Sequence, residues 1–349
     1  MTAAPRDVLV IGGGQAGLAM GHELARRGAR FEIVDAGAEV GGSWRSRWDS
    51  LRLFTAARFD GLPGLPFPAH PDSYPGKDAV ADYLQHYAAT FELPVRLNTP
   101  VAALTRFDGG YVAKAGDQEL EARHVVVATG PFHLPFVPRL AEGLDPAVHQ
   151  LHSTDYRRPG ALPPGRTLVV GAANTGCQIA EELAATREVD LSVGARQPTV
   201  PQRPLGRDIW WWATLLRLDR VTADSRLGQR LAGRDQNIGV GPRQLARHGV
   251  RLRGRAVRAA GKTVTFADGA AADYDVVVWA TGFTTDFRWI DEPSLTDEHG
   301  RVRHHRGVTA VSGLYLLGQT WQHTRGSALL GWVGNDAAYL ADQITRTHR

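Results

Sequence analysis

The chain has 349 residues, 43% of them hydrophobic and 22% charged, with a formal net charge of +4. That length supports two or three cores, and that balance excludes a disulfide-stapled miniprotein, wholesale disorder and a fibrous repeat. The basic residues are almost all arginine, with lysine only at 77, 114 and 262, and no basic run suggests a nucleic-acid partner. Cys177 is the single cysteine, so neither an intramolecular disulfide nor a Cys-x-x-Cys redox pair can form.

Residues 1–7 lack a basic stretch followed by a long apolar one, and no run reaches the length of a membrane span, so a cytoplasmic protein without a membrane partner is expected. Val8–Ile11 reads as a buried strand. It leads into Gly12-Gly-Gly14-Gln15-Ala16-Gly17, a helical pattern over Leu18–Arg27, and a second strand, Phe31–Val34, ending at Asp35. Gly12 permits a tight turn, Gly14 lets backbone N–H groups approach a pyrophosphate, and Gly17 allows close helix–strand packing; Gln15 and Ala16 complete this cofactor-binding turn. Asp35 stands where a carboxylate can accept hydrogen bonds from a ribose 2′-hydroxyl. Strand, turn, helix, strand and acid in that order predict a dinucleotide site.

Proline-rich linkers over Leu62–Pro75 and Pro131–Pro138 flank a helical pattern at Ala79–Thr90 and a strand at Val125–Ala128 that runs into Thr129-Gly130. Three prolines within Arg158–Gly165 mark a boundary. A second dinucleotide turn follows the strand Leu168–Val170, reading Gly171-Ala-Ala173-Asn174-Thr175-Gly176, with a helix over Cys177–Thr186 and a strand over Val189–Val193. No acid ends that strand; Arg196 follows it instead. A guanidinium there can pair with a 2′-phosphate, favouring NADP(H), or it is a solvated loop arginine. Val276–Ala280, ending in Ala-Thr-Gly282, nearly repeats Val125–Gly130, and a fifth strand, Leu314–Leu317, precedes a final helix over Asp336–Thr345. The two Ala-Thr-Gly runs bracket the second turn, as expected where one α/β domain is inserted into another.

With these motifs in place the chain resembles the two-dinucleotide-domain flavoproteins, and among them the bacterial, YUCCA-like flavin-containing monooxygenases. Gly41-Gly42-Ser-Trp44-Arg45 is similar to the family's Gly-Gly-x-Trp element beside the flavin, and Gly313–Gly318 with Gln319 and Thr324–Leu330 is similar to its carboxy-terminal flavin segment. The resemblance implies an α/β fold with two Rossmann-like domains: an FAD domain from residues 1–159 and 276–349, and an NADPH domain at 160–275 inserted into it. It further implies FAD on Gly12, Gly14, Gln15, Ala16, Gly17, Asp35, Gly42, Trp44, Arg45, Thr129, Gly130, Gly318 and Gln319. NADPH would lie on Gly171, Ala173, Asn174, Thr175, Gly176 and Arg196. The implied reaction is insertion of one oxygen from O₂ into a small organic substrate, by N- or S-oxygenation or a Baeyer–Villiger step, through a C4a-(hydro)peroxyflavin.

Two departures bear on that expectation. Of the family motif Phe-x-Gly-x-x-x-His-x-x-x-Tyr/Phe only His152 and Tyr156 remain, with Pro146 and Val148 in the other places, and the Thr-Asn pair near the flavin is replaced by Thr55-Ala56. An NADPH-dependent flavin reductase or oxidase with another acceptor, and a slow-turnover flavin-binding regulatory module, therefore stand as alternatives. Trp210-Trp-Trp212 can line an aromatic substrate pocket or pack the interface between domains. His323 can reach the flavin or serve structurally. The other histidines are scattered, so no metal is expected, and no acid–base residue is assigned as catalytic.

Overall fold

A computed structural model describes residues 6–195, 198–232, 236–298 and 300–346. The first strand, β1 (Arg6–Ile11), lies at the centre of a parallel core, between β2 (Phe31–Val34) on one side and the second half of Gln118–Val127 on the other. Val95–Arg96 extends the core beyond β2, and Leu314–Leu316 pairs in parallel with Val125–Val127. The first half of Gln118–Val127 instead pairs antiparallel with Gly110–Ala115. Side chains alternate across this sheet: Val8, Val10 and Val126 face the helices, while Leu9, Ile11, Val125 and Val127 enter a second cluster with Leu104, Leu120 and Leu314. On the helical face pack α1 (Gln15–Ala25), Lys77–Thr90 and Val333–Arg346, whose Leu18, Leu24, Leu84, Leu340 and Ile344 are fully buried. All four sequence-expected helices form, each starting two or three residues early, because the first turn of a helix carries its glycines and polar residues rather than its apolar stripe.

The second sheet is wholly parallel, in the order Arg251–Arg253, Val189–Ser192, Thr167–Val170, Val276–Trp279, His149–His152. It is covered on one face by helix Asn174–Ala184, through Cys177, Ile179, Ala180 and Leu183, and on the other by Val264 and Phe266 of an antiparallel meander. Both faces are therefore dry, which accounts for the unbroken Val-Val-Val-Trp run of its fourth strand. This sheet takes strands from His149–His152 and Val276–Trp279, so it reaches beyond the interval 160–275 at both ends. The linker prolines at 158–165 fall in a loop between two of its own strands, not at its edge. The chain passes between the sheets near Leu134–Pro135 and Phe283–Thr284, and these two crossings pair antiparallel with each other.

Candidate functional site

The same turn is built twice. Gly12 has φ +112° and Gly171 has φ +109°, and a Cβ on either would strike a carbonyl oxygen, Ala128 at 2.5 Å or Ala280 at 2.2 Å. Gly17 and Gly176 repeat the relationship one helical turn on, where a Cβ would lie 1.8 and 1.9 Å from the carbonyl oxygens of Gly12 and Gly171. The residues before the two helices, Gly14 and Ala173, are both extended, with φ/ψ of −76°/−170° and −75°/−180°. A Cβ on Gly14 would meet nothing within 4 Å, so open space lies in front of free backbone N–H groups at a helix N-terminus, the arrangement that holds an anion.

Around the first turn the chain brings together residues far apart in sequence. The Asp35 carboxylate accepts from the backbone N–H of Gly13 at 2.5 Å and of Gly37 at 2.7 Å, which fixes it at the end of β2 beside the glycine turn. Gln15 is a hub: its Oε1 accepts from Trp44 Nε1 at 3.0 Å and its Nε2 donates to the Ala328 carbonyl at 3.0 Å. Gly318, at φ +85°, lies so close to Ala16 that a Cβ would be 2.8 Å from the alanine methyl. Gln319 Nε2 donates to the Gly130 carbonyl at 3.1 Å, and Thr129 is hydrogen-bonded to His133 at 3.0 Å. Gly42 and Trp44 lie in one helical turn, Gly42–Arg45, but the Arg45 guanidinium is tied to Glu39 and Asp82 at 3.1 and 2.9 Å.

At the second turn Asn174 Oδ1 accepts from Ile238 N–H at 2.9 Å, and Thr175 and Gly176 fall in the first turn of helix Asn174–Ala184. Arg196 lies outside the described residues. Arg255, two residues beyond strand Arg251–Arg253, is exposed, and its Nε would stand 3.6 Å from a Cβ on Gly194. Because Ser192 and Arg253 are register partners, Arg255 lies beside Gly194, just past the end of strand Val189–Ser192. Sequence order gave no hint of it, since the pairing spans 61 residues.

The two units meet at an aromatic junction. Trp210, 3% exposed, stacks on Phe54 at 6.4 Å and against Trp332 at 4.9 Å, and Trp332 stacks on Phe59 at 5.8 Å. Trp210 thus packs an interface, whereas Trp211 and Trp212 face each other edge-on and Trp212 Nε1 donates to Pro204. Asp208 caps this helix by accepting from Trp210 N–H at 2.8 Å, and its Oδ2 also accepts from Tyr74 and Gln202. Gln202 reaches across to the Phe54 carbonyl at 2.9 Å. Arg325 lies over the Trp210 ring at 5.4 Å. Beside the junction a cleft of about 630 Å³ is lined by Phe59, Leu62, Leu65, Thr214, Asp219 and Trp332.

Asp60, Tyr74, Asp208 and Trp332 were not singled out in the sequence. An aspartate before Ile209-Trp-Trp is a readable helix cap, but nothing local marks Asp60 as buried. Its carboxyl has no solvent exposure and accepts from Thr55 Oγ1 at 2.5 Å. Burial, with the charge of Asp208 adding to it, pushes its pKa up to about 7.

Other sequence candidates have structural partners. His152 Nε2 lies 3.0 Å from the Gly282 carbonyl, and Tyr156 donates to Glu182 at 2.8 Å, so the motif remnant holds the return crossing and the second helix. The His323 backbone is bound through its N–H to Ser327 and through its carbonyl to Ala223, and burial lowers the pKa of its ring. Cys177 is buried, donates to the Ala172 carbonyl and has its thiol pushed up to about 12 by burial, an environment that opposes thiolate chemistry. Among the described residues no helix is long and apolar enough to cross a membrane.

Residues 9–204 match the pyridine nucleotide-disulphide oxidoreductase family. The chain is 44% identical over 340 residues to an uncharacterized CzcO-like oxidoreductase of Geobacillus kaustophilus, covering 97% of this chain and 98% of that one. It is 26% identical to the rice indole-3-pyruvate monooxygenase YUCCA1, over 96% and 90% of the two chains. Among solved structures it is similar to a flavin-containing monooxygenase from Stenotrophomonas maltophilia, at 28% identity, with a TM-score of 0.84 and coverage of 99% and 100%. The chain belongs to the pyridine nucleotide-disulphide oxidoreductase family, in its flavin-containing monooxygenase branch.

Proposed function

We propose that the protein binds FAD at the first turn and NADPH at the second, and uses them with O₂ to transfer one oxygen atom to a small organic substrate. The observation that carries this reading is the doubled turn: two glycine cradles of matching geometry, on two sheets joined by paired crossings, with an aromatic cleft where they meet. FAD supplies hydride acceptance and oxygen activation when bound, and NADPH supplies the hydride. Backbone N–H groups of Gly14, Gln15 and Ala16 would hold the FAD pyrophosphate, Asp35 a ribose, and the Gln15–Trp44–Ala328 and Gln319–Gly130 bonds keep the surrounding loops in place. Ala173, Asn174, Thr175 and Gly176 would hold the NADPH pyrophosphate, with Arg196 and Arg255 at its 2′-phosphate. The aromatic junction excludes water and orients an apolar substrate carrying a soft nitrogen, a sulfur or a carbonyl.

Ala56 supports a second reading, an NADPH-dependent flavin oxidase or reductase, because its methyl group offers no hydrogen bond to a reacting oxygen. Incubating the yellow holoprotein with NADPH, O₂ and panels of amines, sulfides and ketones, and measuring oxygenated product against NADPH consumed by mass spectrometry, separates the two. Product in proportion to NADPH supports oxygen transfer. Peroxide in proportion to NADPH with every substrate establishes the oxidase instead.

A further inference from the structure

Exposed apolar surface is concentrated in one segment beside the aromatic junction. Among the described residues, five of the twelve large apolar side chains that stand in solvent are Leu205, Leu215, Leu216, Leu218 and Leu227, with Leu205 89% and Leu216 62% exposed. The same segment carries six exposed arginines, Arg203, Arg207, Arg217, Arg220, Arg226 and Arg230. Its acids do not offset them, because Asp208 is buried as a helix cap, Asp219 is half-buried and only Asp224 is exposed. The segment is fastened from its other side. In helix Ile209–Leu215, Trp210 packs against Phe54 and Trp332, and Thr214 lines the cleft one turn further on. Arg217, at φ +57°, turns the chain into the 3-10 turn Leu218–Arg220, from which Asp219 lines the same cleft. Ala223 N–H then donates to the His323 carbonyl at 2.7 Å. With that face fixed inward, Leu215, Leu216 and Leu218 are held out in water with arginines among them, and an apolar patch of this kind marks a contact surface.

We propose that residues 203–230 dock the protein on an anionic lipid surface, the leucines entering the boundary between headgroups and acyl chains and the arginines engaging the lipid phosphates. Charge selects this occupant. A second copy meeting the same face across a two-fold axis would set six arginines against six. A bilayer with acidic headgroups supplies the complementary charge and, directly beneath it, an apolar layer for the leucines. Arginine suits that boundary because its stem is apolar and its head stays charged. A contact that lies in the interface needs a mixed basic and apolar face rather than a spanning helix, so the sequence argument against a membrane span does not oppose it. The cleft lined by Thr214 and Asp219 then opens beside the lipid. The inference goes beyond the cofactor reading and does not depend on it.

The test is co-sedimentation of the full chain with vesicles of phosphatidylcholine alone, or of equal parts phosphatidylcholine and phosphatidylglycerol, at low and at high salt. The expected result is pelleting with the anionic vesicles only, reversed by salt. Leu215→Ser combined with Leu216→Ser should abolish pelleting. Arg220→Gln combined with Arg226→Gln should weaken partitioning by about fivefold for each charge removed. All four positions are exposed, so both variants should keep the circular dichroism spectrum and flavin content of the parent. A parent that pellets but is colourless removes the FAD reading and leaves this one standing. A parent that stays in solution with both vesicles, equal pelleting on the two, or variants that pellet like the parent overturns the proposal. A dimer in sedimentation velocity that the leucine variant splits assigns the face to a second copy instead. Retention on immobilised polyglutamate without pelleting on vesicles assigns it to an acidic protein.

Discussion

Gly12 and Gly171, 159 positions apart, adopt φ values within 3° of each other and point their missing side chains at equivalent carbonyl oxygens, those of Ala128 and Ala280. Each carbonyl begins an Ala-Thr-Gly run leaving the strand beside the turn. The near-identity of Val125–Gly130 and Val276–Gly282 therefore has a steric cause: in both units the neighbouring strand must end in a small residue whose backbone passes directly under the glycine.

Gly14 gives the cleanest dissection of the first site. Because a Cβ there meets no protein atom within 4 Å, Gly14→Val should fold normally while its branched side chain fills the space before the helix N-terminus. The expected outcome is a soluble, colourless protein with an unchanged circular dichroism spectrum; stoichiometric FAD in the folded variant defeats the assignment.

Coenzyme choice should depend on Arg196 and Arg255 together. NADPH should be preferred over NADH, and replacing either arginine with alanine should reduce the ratio of kcat/KM values by about 1–3 kcal/mol, the worth of a charge-assisted hydrogen bond. If Arg255→Ala alone leaves the ratio intact, the phosphate is held by Arg196 without help from the neighbouring strand.

Asp190 carries much of the second sheet's integrity. With no exposure, it accepts from Arg166 at 2.8 Å, Arg251 at 3.0 Å, Arg253 at 2.7 Å and Tyr274 at 2.7 Å. Removing the carboxylate leaves three guanidinium groups facing one another around a buried void, and Asp190→Ala should lose about 3–5 kcal/mol in denaturant unfolding. A loss below 1 kcal/mol, on the order of an exposed pair, shows that the arginines escape to solvent.

Asp60 makes stability depend on pH in a definite direction. Its pKa is raised on folding from 3.8 to about 7, so the stabilisation of the neutral acid is complete below about pH 4 and declines as pH rises through 7. The decline amounts to at most about 4 kcal/mol. Asp60→Asn should flatten this slope, unfolding at higher denaturant than the parent at pH 8; parallel profiles for the two proteins assign the slope to another group.

The glycine turns, the two valine-rich runs and the four helices were legible in the sequence because each is set by local rules: a turn that tolerates no Cβ, a strand buried on both faces, an apolar stripe of period 3.6. The single cysteine likewise excluded dithiol chemistry before any fold was known. What the sequence could not decide was where separate pieces meet. The prolines at 158–165 carry no information on sheet membership, which is a matter of long-range pairing: His149–His152 and Val276–Trp279 join the second sheet across more than a hundred residues. Trp210 was ambiguous between substrate wall and interface until Phe54 and Trp332 were seen on either side of it. Asp60 looked like any aspartate in a loop; only the packing of Gly331 and Trp332 over its turn removes it from water and raises its pKa. Burial and cross-strand proximity are properties of the assembled chain, and no window of neighbouring residues contains them.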